Sequence, residues 1–211
     1  MKRKIKRRRT SAMRGVHAYI ESEFVQRGGP SVMRTYRRFW RDASNLQCGR
    51  AVATGLREHV EEGKTGKAIR SKTARTIVSF LHAAGYTPTR VEAPTRSTKL
   101  RCATRIDLVA VRQHVEYVIE IKVASATGWC VPMTSMPLRH AECPDTPCNR
   151  AWVQAAIGAV MYSARRASTC VRARVLHVHP KPHGAGFMAR MIAEPPWVRR
   201  KLMPWLVARI L

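Results

Sequence analysis

Between residues 87 and 123 the chain carries apolar, β-branched runs separated by short polar breaks, while on both sides of this region apolar residues recur every three or four positions. The first pattern predicts strands and the second helices. One run holds Ile106, Leu108, Val109, Ala110 and Val111, the next Tyr117, Val118, Ile119, Ile121 and Val123, and neither contains Pro or Gly. The short break at Gln113, His114, Val115 and Glu116 lets them pair as a hairpin. Either a two-residue or a four-residue turn sets odd positions of the first run opposite even positions of the second. TPTRVEAPT, with Pro at its margins, predicts an earlier strand. Helical periodicity runs through AVATGLREHVEE and SKTARTIVSFLHAAG, where Ser71 is placed to cap and Gly85 to stop the second helix. A further helix is predicted in NRAWVQAAIGAVMYSARR, then a strand in VRARVLHVHP, a shorter one in GFMARMIAE, and a kinked or two-part helix around Pro204. Residues 13 to 47 combine Tyr19, Tyr36, Phe39 and Trp40 with Arg34, Arg37, Arg38 and Arg41, a helical packing layer with a basic outer side. The order helix, three strands, helix, strand, with extra helices at both ends, predicts an α/β fold.

Composition narrows the class. A chain of 211 residues with 45% hydrophobic content can bury one core, so residues 13 to 211 are expected to form a single domain behind a disordered basic arm at 1 to 12. There are 39 Lys and Arg against 13 Asp and Glu, a net charge of +26, and a field of that sign favours a polyanion, usually nucleic acid. No apolar run is long enough for a membrane span, and the opening MKRKIKRRRTSAMRG lacks the apolar stretch of a secretory signal. The arm suits a nuclear-import tract, a phosphate anchor or an organellar presequence, which points to an intracellular protein of the nucleus or mitochondrion. Its six cysteines fit reduced thiols. GKTGK at 63 to 67 lacks the spacing of a nucleotide-binding loop.

Against that basic background, Asp107 and Glu120 lie inside apolar strands. Alternation sends Glu120 and Lys122 to one face and Ile119, Ile121 and Val123 to the other, and the hairpin puts Asp107 on the face of Glu120. Adjacent desolvated carboxylates repel, so the pair suits a hard divalent ion, Mg²⁺ or Mn²⁺, and a neighbouring lysine suits developing charge or a nucleophile. The plainer reading is a hairpin with one solvated face. The scarcity of acids weighs against it. Cys130, His140, Cys143 and Cys148, spaced by nine, two and four residues, form a second constellation that would suit a structural Zn²⁺. Without paired Cys-x2-Cys elements that signal is weak, and packing cysteines are favoured.

The element order, with Asp107 on the second strand and Glu120-x-Lys122 on the third, resembles the PD-(D/E)XK nuclease superfamily over roughly residues 50 to 180. The finer match is to its RecB and lambda-exonuclease branch, which includes mitochondrial and viral exonucleases: Gly55 and His59 match a Gly-x3-His motif, and Gln154 matches a Gln on the helix after Glu-x-Lys. Ile106 stands in place of the Pro, Gly63 where an acid is frequent with Glu62 one place short, and Gly158 where Tyr is usual, with Tyr162 a turn further on. The resemblance implies a restriction-endonuclease-like αβββαβ core with a mixed sheet between helices. It implies metal held by Asp107 and Glu120 and completed by His59, Lys122 serving the attacking water, and Gln154 orienting Lys122 or the phosphate. The implied activity is metal-dependent hydrolysis of single- or double-stranded DNA, as an exonuclease of replication, recombination or repair. A non-catalytic nucleic-acid-binding or packaging protein on the same fold is the alternative. On periodicity alone, His59 and Gln154 are equally well read as ordinary helix residues.

Overall fold

The structure, a computed structural model, describes residues 13–26, 43–124, 129–130, 137–166, 170–181 and 186–210. The basic arm at 1 to 12 and the aromatic and basic stretch at 27 to 42 lie outside them. In chain order the elements are β1 (Arg14–Gly15), α1 (Val16–Glu23), α2 (Ala43–Val60), α3 (Lys72–Ala83), β2 (Thr87–Ser97), β3 (Cys102–Arg112), β4 (Val115–Val123), β5 (Pro137–Leu138), β6 (Cys143–Pro144), α4 (Pro147–Ser163), β7 (Val171–Pro180), β8 (Phe187–Ile192) and α5 (Met203–Ile210). The fold is mixed α/β. Its six-stranded main sheet runs β2-β3-β4-β7-β8, with β1 added beside the start of β3; the pairs are antiparallel except β1 with β3 and β4 with β7, the latter connected by α4.

Local chemistry accounts for the boundaries. The Ser71 hydroxyl accepts from the Ala74 N–H at the start of α3, Thr146 does the same for Asn149 at the start of α4, and Gly85, with φ 76°, ends α3 in a left-handed conformation. Of the two turns compatible with the hairpin, the two-residue one forms: Gln113 and His114 have φ 49° and 64°, and Arg112 pairs with Val115. The break expected near Pro204 is a π-helical turn at Val198–Leu202, directly before α5.

Two helical layers cover the sheet. On one face α2 and α3 bring Val52, Leu56, Ile77 and Leu81 against Leu108, Ala110, Ile119, Leu176 and Val178. On the other, α4 lays Trp152, Ala155 and Ala159 on Ile106, Val118, Ala173 and Val175. Val16 and Ile20 of α1 and Leu206 and Ile210 of α5 close over Val153 and Ile157 of α4. Residues 151 to 162 are consequently all buried, so α4 is apolar nearly all round. Where α4 begins, Arg150 forms a two-bond pair with Asp145, at 2.5 and 2.6 Å, and an ion pair with Glu21 of α1.

Gly55 is the point where α2 and α3 touch. A Cβ there would lie 2.5 Å from Ala74 Cβ and 3.0 Å from Ser71 Cβ, closer than packed carbon atoms approach. Gly55→Ala is expected to destabilise the protein by about 1 to 2 kcal/mol in denaturant unfolding, since forced separation of the helices outweighs the helix-propensity gain of about 1 kcal/mol. A stabilised variant would show that the helices part freely.

Candidate active site

The site is made by a fork in the sheet. The ladder between β3 and β4 runs from Arg112 and Val115 to Leu108 and Ile119 and goes no further. At the next step, where Asp107 would face Glu120, the Asp107 carboxylate itself accepts the Ile121 N–H at 2.8 Å. From there β4 stays paired with β7 as far as Val123 and Val178, while β2 keeps the opposite edge of β3 throughout. The edge that β4 leaves is taken by β1, with Arg14 and Gly15 opposite Cys102 and Ala103, so α1 starts beside the fork. In a regular strand residues two apart share a face. Here Leu108 packs on the α2 and α3 side but Ile106 on the α4 side, and Val91 and Ala93 of β2 are split the same way. Both strands therefore rotate at the facing positions Asp107 and Glu92. Glu92 has φ 48°, a left-handed conformation that strains a non-glycine residue by roughly 1 to 3 kcal/mol.

Asp107, Glu120, Lys122 and Gln154 meet at the fork. Lys122 Nζ lies 2.5 Å from Glu120 Oε1 and donates to Gln154 Oε1 at 3.2 Å. Glu120 is 4% exposed, and its Oε1 has no aligned hydrogen bond among the described residues. Burial, followed by the charge of Asp107, pushes the Glu120 carboxyl up to about 8. Asp107 is raised by burial too, but Lys122 and the Ile121 N–H favour its anion. Burial and their mutual charge thus oppose simultaneous ionisation of the two carboxyls, which are hydrogen-bonded to each other beside a lysine.

An open cleft of about 580 Å³ reaches the fork. Asp107, Ile121 and Lys122 line its base, Arg50, Thr54 and Arg57 of α2 one wall, and Glu92 and His17 its margins. Arg57 is ion-paired with Glu92. Removal of water from around its ring, then the charges of Lys122 and Arg150, hold His17 at about 4, so it is a neutral imidazole at pH 7. His17, Arg50, Arg57 and Glu92 did not stand out in the sequence. The signal available for α2 was the spacing of Arg50, Thr54 and Arg57, which places them on one helical face.

His59, expected in the metal set, is not among the residues that line the cleft. Gly55 turns its side of α2 against α3, and His59, one turn further on, follows it. Its Nδ1 bonds the Lys64 carbonyl at 2.8 Å and its Nε2 lies 3.1 Å from His82 Nε2. Glu62 pairs with Lys64 at 2.7 Å, and Glu58 with Arg70. The expected zinc constellation is dispersed: His140 stacks on Trp205, Cys143 is buried in the layer under α1 and α5, and Cys148 sits beside Cys130. Among the described residues no three His, Cys, Asp or Glu side chains gather as a metal-binding group. No helix among them is long and apolar enough to cross a membrane. No protein-family model matches the chain, and no curated protein is similar to it.

Proposed function

We propose that the protein is a Mg²⁺- or Mn²⁺-dependent deoxyribonuclease of the PD-(D/E)XK type, working as an exonuclease in DNA replication, recombination or repair. One observation carries this reading: the half-buried Asp107 and the buried Glu120 meet beside Lys122 at the base of an open cleft with arginines on its wall. The element order, an α-helical pair, three antiparallel strands, a helix and a strand parallel to the third, supports the reading, since it contains the αβββαβ order expected of a restriction-endonuclease-like core.

The residues fit a hard cation. Ionising both carboxyls without one is opposed by burial and mutual repulsion, and Glu120 Oε1 retains unused acceptor capacity. Asp107 and Glu120 would hold the ion, with water and phosphate oxygens as the other ligands, the usual habit of Mg²⁺. When bound, it supplies a lowered pKa for an attacking water and polarises the phosphate. The Ile121 N–H fixes the rotamer of Asp107. Gln154 and Glu120 hold the Lys122 ammonium between them, where it stabilises negative charge on the phosphate or orients the water. Neutral His17 at the margin adds an uncharged donor or acceptor and no repulsion toward Lys122.

Incubation of the purified protein with end-labelled linear and closed circular DNA, in Mg²⁺, Mn²⁺ or EDTA, tests this reading. Release of short products from linear DNA alone is expected, only with a divalent ion. Cutting of circles would make it an endonuclease. Undiminished cleavage in EDTA, or none with either metal, would overturn the assignment and leave a non-catalytic binding protein.

A further inference from the structure

The wall of the cleft suggests which form of nucleic acid enters it. Arg50, Thr54 and Arg57 follow one another at intervals of four and three residues along α2, all exposed and all facing the cleft. Beside them the cleft is lined by the small residues Gly49 and Ala53, and a Cβ added at Gly49 would meet nothing within 4 Å. That face offers two guanidinium groups and a hydroxyl, flanked by surface low enough for a sugar-phosphate chain to lie against it. A volume of about 580 Å³ is that of a small-ligand site, room for a nucleotide or two but not for a duplex. The reacting groups are deeper still, with Glu120 almost wholly buried.

Arg57 is held in a particular way. Glu92 is its one hydrogen-bond partner among the described residues, leaving most of the five donors of the guanidinium unused. The pair is open to solvent, with the two side chains 44% and 28% exposed, so a phosphate oxygen can replace the carboxylate at little loss. Glu92 reaches Arg57 from the strained position facing Asp107, a backbone conformation that regular pairing with β3 would not produce.

We propose that the Arg50, Thr54 and Arg57 face of α2 binds the backbone of a single strand leading to the fork, and that Glu92 occupies Arg57 until a phosphate displaces it. The proposal rests on the nuclease reading for its purpose but not for its test. Duplex DNA is then engaged only where an end has opened. Glu92 is a positioning residue, and the occupant it yields to is a single-stranded phosphodiester.

The test is binding of a fluorescent single-stranded oligonucleotide and of a blunt duplex in EDTA, where no cleavage can intervene. Glu92→Gln is expected to tighten single-strand binding on the order of three- to tenfold, as release of an exposed ion-pair partner allows. Duplex affinity should change much less. Arg57→Ala and Arg50→Ala should each weaken single-strand binding, and the gain from Glu92→Gln should vanish in the Arg57→Ala background. Glu142→Gln, which removes an equal charge from the pair with Lys201 elsewhere, controls for net charge. Equal gains from the Glu92 and Glu142 variants, or additive effects of the Glu92 and Arg57 changes, would overturn the proposal. Should the wild type cleave nothing with either metal while the Glu92 and Arg57 effects appear, the binding face stands and the nuclease reading falls.

Discussion

Glu120→Gln is expected to abolish cleavage and, at the same time, to make the metal-free protein more stable above neutral pH. The first effect follows from loss of a metal ligand from a pair that has only two. The second follows from linkage. In the unfolded chain Glu120 ionises near its ordinary value of 4.5, while in the folded protein burial and Asp107 push it up to about 8. Between those values the folded state binds more protons than the unfolded one, so the contribution of this carboxyl to stability falls as pH rises and reaches its full deficit above pH 8. A shift of that size corresponds to a few kcal/mol. Glutamine has no proton to lose. In EDTA, urea unfolding should therefore find wild type and variant nearly alike at pH 4.5 and the variant more stable at pH 8.5. Mg²⁺ should raise wild-type stability alone, because it favours the ionised pair in the folded state. Parallel pH profiles for the two proteins would mean that Glu120 ionises freely, and the argument from a carboxyl raised by burial beside Asp107 would fail.

Lys122→Ala is expected to lower the cleavage rate by a hundredfold or more, with little change in affinity for DNA. Among 39 basic residues one ammonium adds little to the overall attraction for phosphate. Its importance is positional: Glu120 and Gln154 hold it at the base of the cleft, and a preorganised charge at a transition state is typically worth on the order of 10² to 10³ in rate. Gln154→Leu should reproduce part of that loss, by releasing the lysine from one of its two supports. Single-turnover rates at saturating protein separate these effects from binding. A Lys122 variant that cleaves at the wild-type rate but binds less well would place the lysine in the general basic surface.

How much of this was legible in the sequence differs from element to element. The strands from Thr87 to Val123 and from Val171 to Pro180 were readable because period-two alternation and β-branched content mark them directly, and Ser71 and Gly85 marked both ends of α3. Bringing Asp107 and Glu120 together needed only the parity of the hairpin, which either turn length preserves. The rest needed information that periodicity does not contain. Nothing in the spacing of Gly55 and His59 tells whether that side of α2 meets the sheet or a second helix. Contact with Ala74 decides it, and with it the side to which His59 turns. Glu92 was similarly hidden, since strand patterning presumes ordinary φ and its left-handed backbone breaks that presumption. His17 reaches the cleft because β1 pairs with β3, and two residues are too short a strand to predict.

That two-residue strand bears on the order in which the proposed active site is assembled. The hairpin bearing Asp107, Glu120 and Lys122 is a local structure that can form early, but β1 joins the fork only by closing a long loop, and α1 is secured by the pairing of Glu21 with Arg150, 129 residues away. Contacts of such sequence separation form late, since the entropy of closing the loop precedes any return from the contact. During synthesis the hairpin would emerge before α4 and β7, which position Lys122 and on which α1 docks, so the cleft would lack one margin until they follow. On the proposed nuclease reading, competence to cut would then arrive only with the docking of α1 on α4, so that assembly of the cleft margin, and not of the hairpin, would time the activity.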